Sequence, residues 1–273
     1  MKTKKKKISE GEFVETLLRH GKELFITEDI NKLFFRGKAK PGQVADFLFT
    51  MSGKGWIKNL EKGKYILQRV SGDLHSNNFL IGMQLISPAA ISYWSALNYY
   101  GLTNQLPHTV FIQTIKRKQS KVIDGVLYKF ITLSKWKYFG IRKEWLRKGE
   151  IRHLYFNITD PEKTIVDCFD YPEYCGGIQE SALGLISGKN LDLDKIFHYA
   201  VKMKNTAILK RIGFIAELFG VDFLIEKILA NRKIFSSRFS LLDTNSADYG
   251  KYNRKWLLRI NTDIENLKRI LET

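Results

Sequence analysis

The chain is poor in the residues from which compact chemical sites are usually built. It has two cysteines in 273 residues, Cys168 and Cys175, and five scattered histidines. A spacing of seven fits neither a CxxC redox pair nor a zinc site, so the expectation is a reduced, cytoplasmic protein with no structural metal and no cofactor. No glycine-rich phosphate loop and no nucleophile elbow occurs. The lysine run Lys4 to Lys7 is not followed by an apolar stretch, which argues against a signal peptide. It reads either as an arm along DNA or as a solvated terminus. Leu74 to Ile115 has no Lys, Arg, Asp or Glu, yet it is no membrane span. Asn77, Asn78, Gln84, Ser87, Pro88, Asn98, Asn104, Gln105 and Pro107 interrupt it, and no apolar run of about 18 residues survives. A buried segment of a globular domain fits it better.

What the chain does have is positive charge. Lys and Arg number 45 against 28 Asp and Glu, a net +17, which points to a polyanionic partner. The excess is uneven. Residues 1–80 carry 16 basic and 9 acidic side chains, and residues 111–155 carry 12 and 3. Residues 156–200 reverse the sign, with 3 basic and 8 acidic.

The head can be placed piece by piece. Ser9 with Glu12 three residues on is a helix-opening pair, with Ile8 and Phe13 as a hydrophobic staple and Gly21 suited to the exit. A second helix starts at Thr27, with Glu28 and Asp29 in its acid-favouring first turn. A third is expected from Pro41, with Val44, Phe47, Leu48 and Met51 on one face. Trp56–Leu60 and Tyr65–Gln68 then read as two strands around a Gly63 turn. Three helices and a hairpin make a winged helix-turn-helix over residues 8–72. Its third helix would lie in the major groove and its hairpin would be the wing. The candidate DNA contacts are the polar residues left outside the core: Lys38, Lys40, Gln43, Thr50, Ser52, Lys54, Lys58, Lys62 and Lys64. The lysines would neutralise phosphates, and Gln43, Thr50 and Ser52 would reach base edges. Asp46 is a counter-signal unless it accepts from cytosine.

A polar boundary is expected at 71–78. A second domain over 79–230 follows, with a helix from Ser87-Pro88 and strands at Val110–Thr114, Val126–Ile131 and Ile151–Phe156. Asp160-Pro161 then opens a helix, and helical patterns run from Gly177 to about Ala230. Strands followed by consecutive helices make the chain α+β, a winged helix joined to a larger α+β domain with a helical C-terminal half. Residues 231–273 read as an extension, helical in part.

Two patterns invite an enzyme reading. Gly176-Gly177 with Asp192-Leu193-Asp194 loosely matches a nucleotidyltransferase, and Asp167, Asp170 and Glu173 resemble the carboxylates of a metal-dependent nuclease. Asp192 stands at helical spacing from Ile196 and Phe197, which makes it more simply an N-cap. Asp167 and Asp170 share a helix face and would pair with the surplus lysines of 111–155. His153 and His198 have no partner pattern. The expectation is therefore a protein that is not an enzyme. The basic middle segment, Lys116, Arg117, Lys118, Lys135, Lys137, Arg142 and Lys143 with Trp136 and Tyr138 among them, suits a nucleic-acid backbone. It equally suits a sheet edge shielded by lysine.

The run Ser95-Ala96-Leu97-Asn98-Tyr99-Tyr100-Gly101-Leu102-Thr103, then Asp160-Pro161-Glu162-Lys163-Thr164-Ile165-Val166-Asp167, then Tyr171-Pro172-Glu173-Tyr174-Cys175-Gly176-Gly177, resembles AbiEi-family antitoxins. Gly55-Trp56-Ile57 and Gly63-Lys64-Tyr65 in the head resemble their winged helix, and the resemblance spans roughly residues 10–230. It implies a transcriptional regulator of a type IV abortive-infection toxin–antitoxin system that represses its own operon through inverted repeats in duplex DNA. It also implies a domain that counters a nucleotidyltransferase-like toxin without a stable complex.

Overall fold

The protein is described by a computed structural model of residues 8–68, 74–145 and 154–272. The Lys4–Lys7 run, residues 71–73 of the expected boundary, Arg147, Lys148 and the start of the strand expected at 151–156 lie outside these residues. Packing divides the chain into two units, 1–87 with 143–156, and 88–142 with 157–273. The division thus falls after Ser87, later than the polar stretch at 71–78.

The first unit runs α1 (Glu10–Arg19), β1 (Leu24–Ile26), α2 (Thr27–Phe35), α3 (Gln43–Gly53), β2 (Ile57–Glu61), β3 (Lys64–Leu67) and α4 (Leu74–Leu85). Its sheet has the order β1-β3-β2, both pairs antiparallel. The Ser9 hydroxyl accepts from the Glu12 N–H at 3.1 Å, and the Asp29 carboxylate accepts from the Ile26 N–H at 2.9 Å. Each helix start thus satisfies a backbone donor that would otherwise lack a partner. α3 starts at Gln43, two residues later than Pro41, because Gly42 before it takes a left-handed φ of 79°. Phe13, Leu17, Phe25, Ile30, Val44, Leu48, Met51, Ile57 and Leu67 form one buried core, with Phe34 and Phe47 packed on the Phe13 ring.

The second unit contains β4 (Ala90–Ile91), α5 (Tyr93–Tyr99), β5 (Thr109–Thr114), β6 (Lys121–Ile123), β7 (Val126–Thr132), β8 (Ile141–Trp145) and β9 (Tyr155–Thr159), the last two reaching into 143–156. The mixed sheet has the order β6-β7-β5-β4-β9-β8. β5 is parallel to β7 and antiparallel to β4, and Val110 to Thr114 are all buried. A strand covered on both faces has no place for charge, which accounts for part of the uncharged stretch. The helix expected from Ser87-Pro88 is instead β4, and α5 begins only at Tyr93. Ile91 pairs with both Ile112 and Ile158, and these ladder bonds outweigh a local capping signal.

α6 (Pro161–Asp170), α7 (Ile178–Ser187), α8 (Leu193–Lys202), α9 (Thr206–Phe219) and α10 (Asp222–Ala230) follow, then β10 (Ser240–Leu241), β11 (Lys251–Asn253), β12 (Leu258–Ile260) and α11 (Ile264–Glu272). The α+β class is therefore observed, with the helical half as expected. Residues 231–273 are built into the second unit rather than appended to it. Leu242, Trp256, Leu258 and Leu267 are fully buried in its main core. Asp243 also supplies an acceptor to the Ile178 N–H at 3.3 Å, at the start of α7, where Gly177 has no side chain to offer.

Trp256 explains a glycine in mid-helix. A β-carbon on Gly213 in α9 would overlap the Trp256 ring, which is anchored to the same helix one turn later by its Nε1–H donating to Glu217 at 2.6 Å. Alanine is the better helix former by about 1 kcal/mol. Gly213→Ala is nevertheless expected to destabilise the protein by about 2–3 kcal/mol, because the ring must leave its site. Urea unfolding of the two proteins would measure this, and equal midpoints would show that the ring has room to shift.

Candidate nucleic-acid interface

α3 turns Val44, Leu48 and Met51 into the core. The positions between them form an outer stripe, with Ala45, Asp46, Phe49, Thr50 and Gly53 all exposed. Their spacing of one, three and four residues is that of a single helix face. The stripe carries no cation. Phe49 stands out on it at 82% exposure and makes no ring contact among the described residues.

The cations stand around the stripe in sequence. Arg36, Lys38 and Lys40 are exposed in the α2–α3 loop, and none makes a side-chain ion pair with another described residue. Arg36 is absent from the expected contact set, although it lies two residues from Lys38. Its left-handed φ of 54° closes α2. Other basic residues of this unit are engaged. Lys22 pairs with Asp29 at 2.8 Å, Lys32 with Glu28 at 2.6 Å, and Lys54 with Glu10 at 2.6 Å.

The remaining expected contacts divide in the same way. Gln43 accepts from the Lys40 N–H at 3.1 Å, and so serves the turn into α3. Thr50 donates its hydroxyl proton to the Asp46 carbonyl at 2.8 Å, leaving its methyl and the acceptor side of the hydroxyl oxygen to present outward. Ser52 is half-buried, and so is Lys58. Lys62 is exposed at the turn of the hairpin. Lys64 is half-buried and committed, donating to the Leu85 carbonyl at 2.9 Å and facing Glu61 at 2.7 Å. The β2–β3 hairpin itself is short. Only Lys62 and Gly63 separate its strands, and the Gly63 carbonyl accepts from the Thr27 N–H at 3.0 Å. A tip tied to the start of α2 leaves Lys62 as its one exposed lysine.

In the second unit and its neighbouring strand, the basic segment is less free than its charge suggests. Lys116, Arg117 and Lys135 are exposed and make no ion pair with a described residue, and Trp136 is exposed beside Lys135. Lys118 lies over Phe130, Arg142 over Tyr100 and Lys143 over Tyr155, with centroid distances of 5.6, 5.1 and 4.4 Å. Lys137 pairs with Asp170 at 2.6 Å and lies over Tyr171.

The carboxylates that suggest catalysis are held by the protein itself. Asp167 pairs with Lys163 one turn earlier, both fully buried, and burial pushes its carboxyl up to about 6. Asp170 takes Lys137 and Asn205, and Glu173 takes the Thr244 hydroxyl. Asp192 accepts from the Lys195 N–H at 3.0 Å as the α8 cap, and Asp194 faces His198 and Lys227. Among the described residues no group of three or more His, Cys, Asp or Glu could hold a metal ion. No helix of these residues is long and apolar enough to cross a membrane.

The chain is similar in fold to a solved protein, RV2827C from Mycobacterium tuberculosis, with a TM-score of 0.64 at 13% identity, over 96% of this chain and 94% of that one. No protein-family model matches the chain, and no curated protein does.

Proposed function

We propose that the chain is a sequence-specific duplex-DNA-binding regulator, and that it is the antitoxin of a type IV toxin–antitoxin system. The observation that carries the DNA reading is the outer face of α3, a stripe without cations that exposes Phe49, preceded by three exposed cations, Arg36, Lys38 and Lys40, with no acidic partner among the described residues. In the order helix, strand, helix, helix, hairpin, this is the helix that enters the major groove. Cations that face no carboxylate are the ones that gain most from phosphate, since binding breaks no existing pair. The antitoxin half of the proposal rests on the AbiEi resemblance of residues 10–230. It carries no catalytic role, places the protein in the cytoplasm with its operator, and expects a nucleotidyltransferase-like toxin to be countered without a stable complex.

Fluorescence anisotropy with the full chain tests the DNA half. The probe is the duplex upstream of its own gene, compared with a scrambled duplex of equal length across a salt series. The upstream duplex is expected to bind about a thousandfold more tightly at physiological salt. Both affinities are expected to fall steeply as salt rises. Equal affinity for the two duplexes would refute sequence-specific regulation.

A further inference from the structure

We propose that Phe49 reads the 5-methyl group of thymine in the major groove, so that this one side chain sets a base preference at the DNA site. The inference rests on the DNA reading above and goes beyond it by naming the base and the atom recognised.

Phe49 is not core that failed to close. Val44, Leu48 and Met51 are buried beneath α3, and the half-buried Phe47 packs edge-on against Phe13 and Phe35. Phe49 lies one residue beyond this inward set, 82% exposed, on the opposite stripe. One exposed aromatic alone means little, because scattered apolar side chains are common on protein surfaces. Its neighbours give it a meaning. Ala45 and Gly53 present almost nothing but backbone and a methyl, and the Thr50 hydroxyl proton is committed to the Asp46 carbonyl, so Thr50 offers no free donor. A helix that only gripped phosphate would carry cations here, and this stripe has none. Its single charge is the Asp46 carboxylate, which phosphate repels and which can accept from an amino group such as cytosine N4. The cations stand instead at the entry to the helix, in Arg36, Lys38 and Lys40. A cationic approach leading to an apolar centre matches duplex DNA, whose phosphates flank a groove floor where the thymine methyl is the main apolar group. The minor groove offers no such methyl, so the preference would be specific to this docking.

The test removes the methyl without changing base pairing. Full-length protein selects sites from a random duplex library with fixed flanks. Each thymine of the selected site is then replaced singly by deoxyuridine, and affinities are measured for the wild type, Phe49→Ala and Phe49→Ser. Both substitutions fall on an exposed side chain, and melting curves verify that the variants remain folded. The wild type is expected to lose about fourfold at one or two thymines, the worth of burying one methyl-sized group. Both variants are expected to bind thymine and deoxyuridine sites alike. A selected site at which no deoxyuridine matters would overturn the role of Phe49 and leave the DNA reading standing. So would a methyl effect that survives in both variants. A wild-type dimer that Phe49→Ala converts to monomer, with no methyl effect, would assign the ring to self-association and overturn it too. Failure to select any site would overturn the DNA reading, and this inference with it.

Discussion

Lys163→Met is expected to destabilise the second unit by about 3–5 kcal/mol near neutral pH, the usual cost of leaving a buried charge without its partner. The ammonium of Lys163 and the carboxylate of Asp167 are both wholly removed from solvent, one turn apart on α6. Methionine keeps the length and most of the volume of lysine, so what is lost is charge rather than packing. The second Asp167 oxygen has no hydrogen-bond partner among the described residues, which leaves the carboxylate dependent on Lys163. The pH dependence follows from the sign of the shift. Burial holds the Asp167 carboxyl at about 6, above its ordinary 3.8. A carboxyl with a raised native pKa keeps a proton that the unfolded chain has released. Stability therefore falls as pH climbs from the ordinary value towards the native one. Without Lys163 the native value rises further and the falling window extends to higher pH. The loss in Lys163→Met should accordingly be smaller at pH 5 than at pH 8, measured by urea unfolding at both. The paired variant Lys163→Met with Asp167→Leu should recover most of the stability, because an apolar pair needs no desolvated charge. Equal losses at the two pH values, or no recovery in the paired variant, would mean that Lys163 matters for its packing over Phe139 and not for its charge.

The same helix shows what could be seen in the sequence. Asp160 before Pro161, Ser9 before Glu12 and Asp192 before Leu193 all announce a helix through residues three or four apart, and all three side chains cap as expected. Such signals are local and survive without tertiary context. β1 could not be seen, since three residues carry no alternation, and its existence depends on β3 some forty positions later. The same holds for β4, which needs both β5 and β9, and for the small sheet of the tail, in which β10 pairs with β12. Charge misled for a related reason. Lys64 and Lys54 look like free surface lysines in sequence, but their partners, Leu85 and Glu10, lie 21 and 44 positions away. Phe49 is legible in the sequence too, since an aromatic that falls outside the apolar face of its own helix is a signal that needs no structure; a list confined to polar residues does not contain it.

Removing Arg36, Lys38 and Lys40 together is expected to weaken DNA binding about a hundredfold at moderate salt, and by a similar factor on operator and scrambled duplex. Each contributes about 1 kcal/mol if it meets one phosphate, taking the modest end for exposed charge-assisted bonds. The stronger signature is the salt dependence. Every phosphate contact releases counterion, so the slope of log affinity against log salt should become shallower by about 0.9 for each cation removed. Lys32→Ala gives the contrast, because its ammonium already faces Glu28, which also raises its pKa, and binding DNA would have to compete with that pair. Its removal should leave the slope nearly where it was. The triple variant and Phe49→Ala then act on separable quantities. The cations set how tightly any duplex is held, and Phe49 sets which duplex is preferred. An unchanged slope in the triple variant would place the grip elsewhere, with Lys116, Arg117 and Lys135 of the second unit as the next exposed cations to remove. A loss confined to the operator would instead mean that the loop before α3 reads bases, and that the division of labour between loop and stripe is drawn in the wrong place.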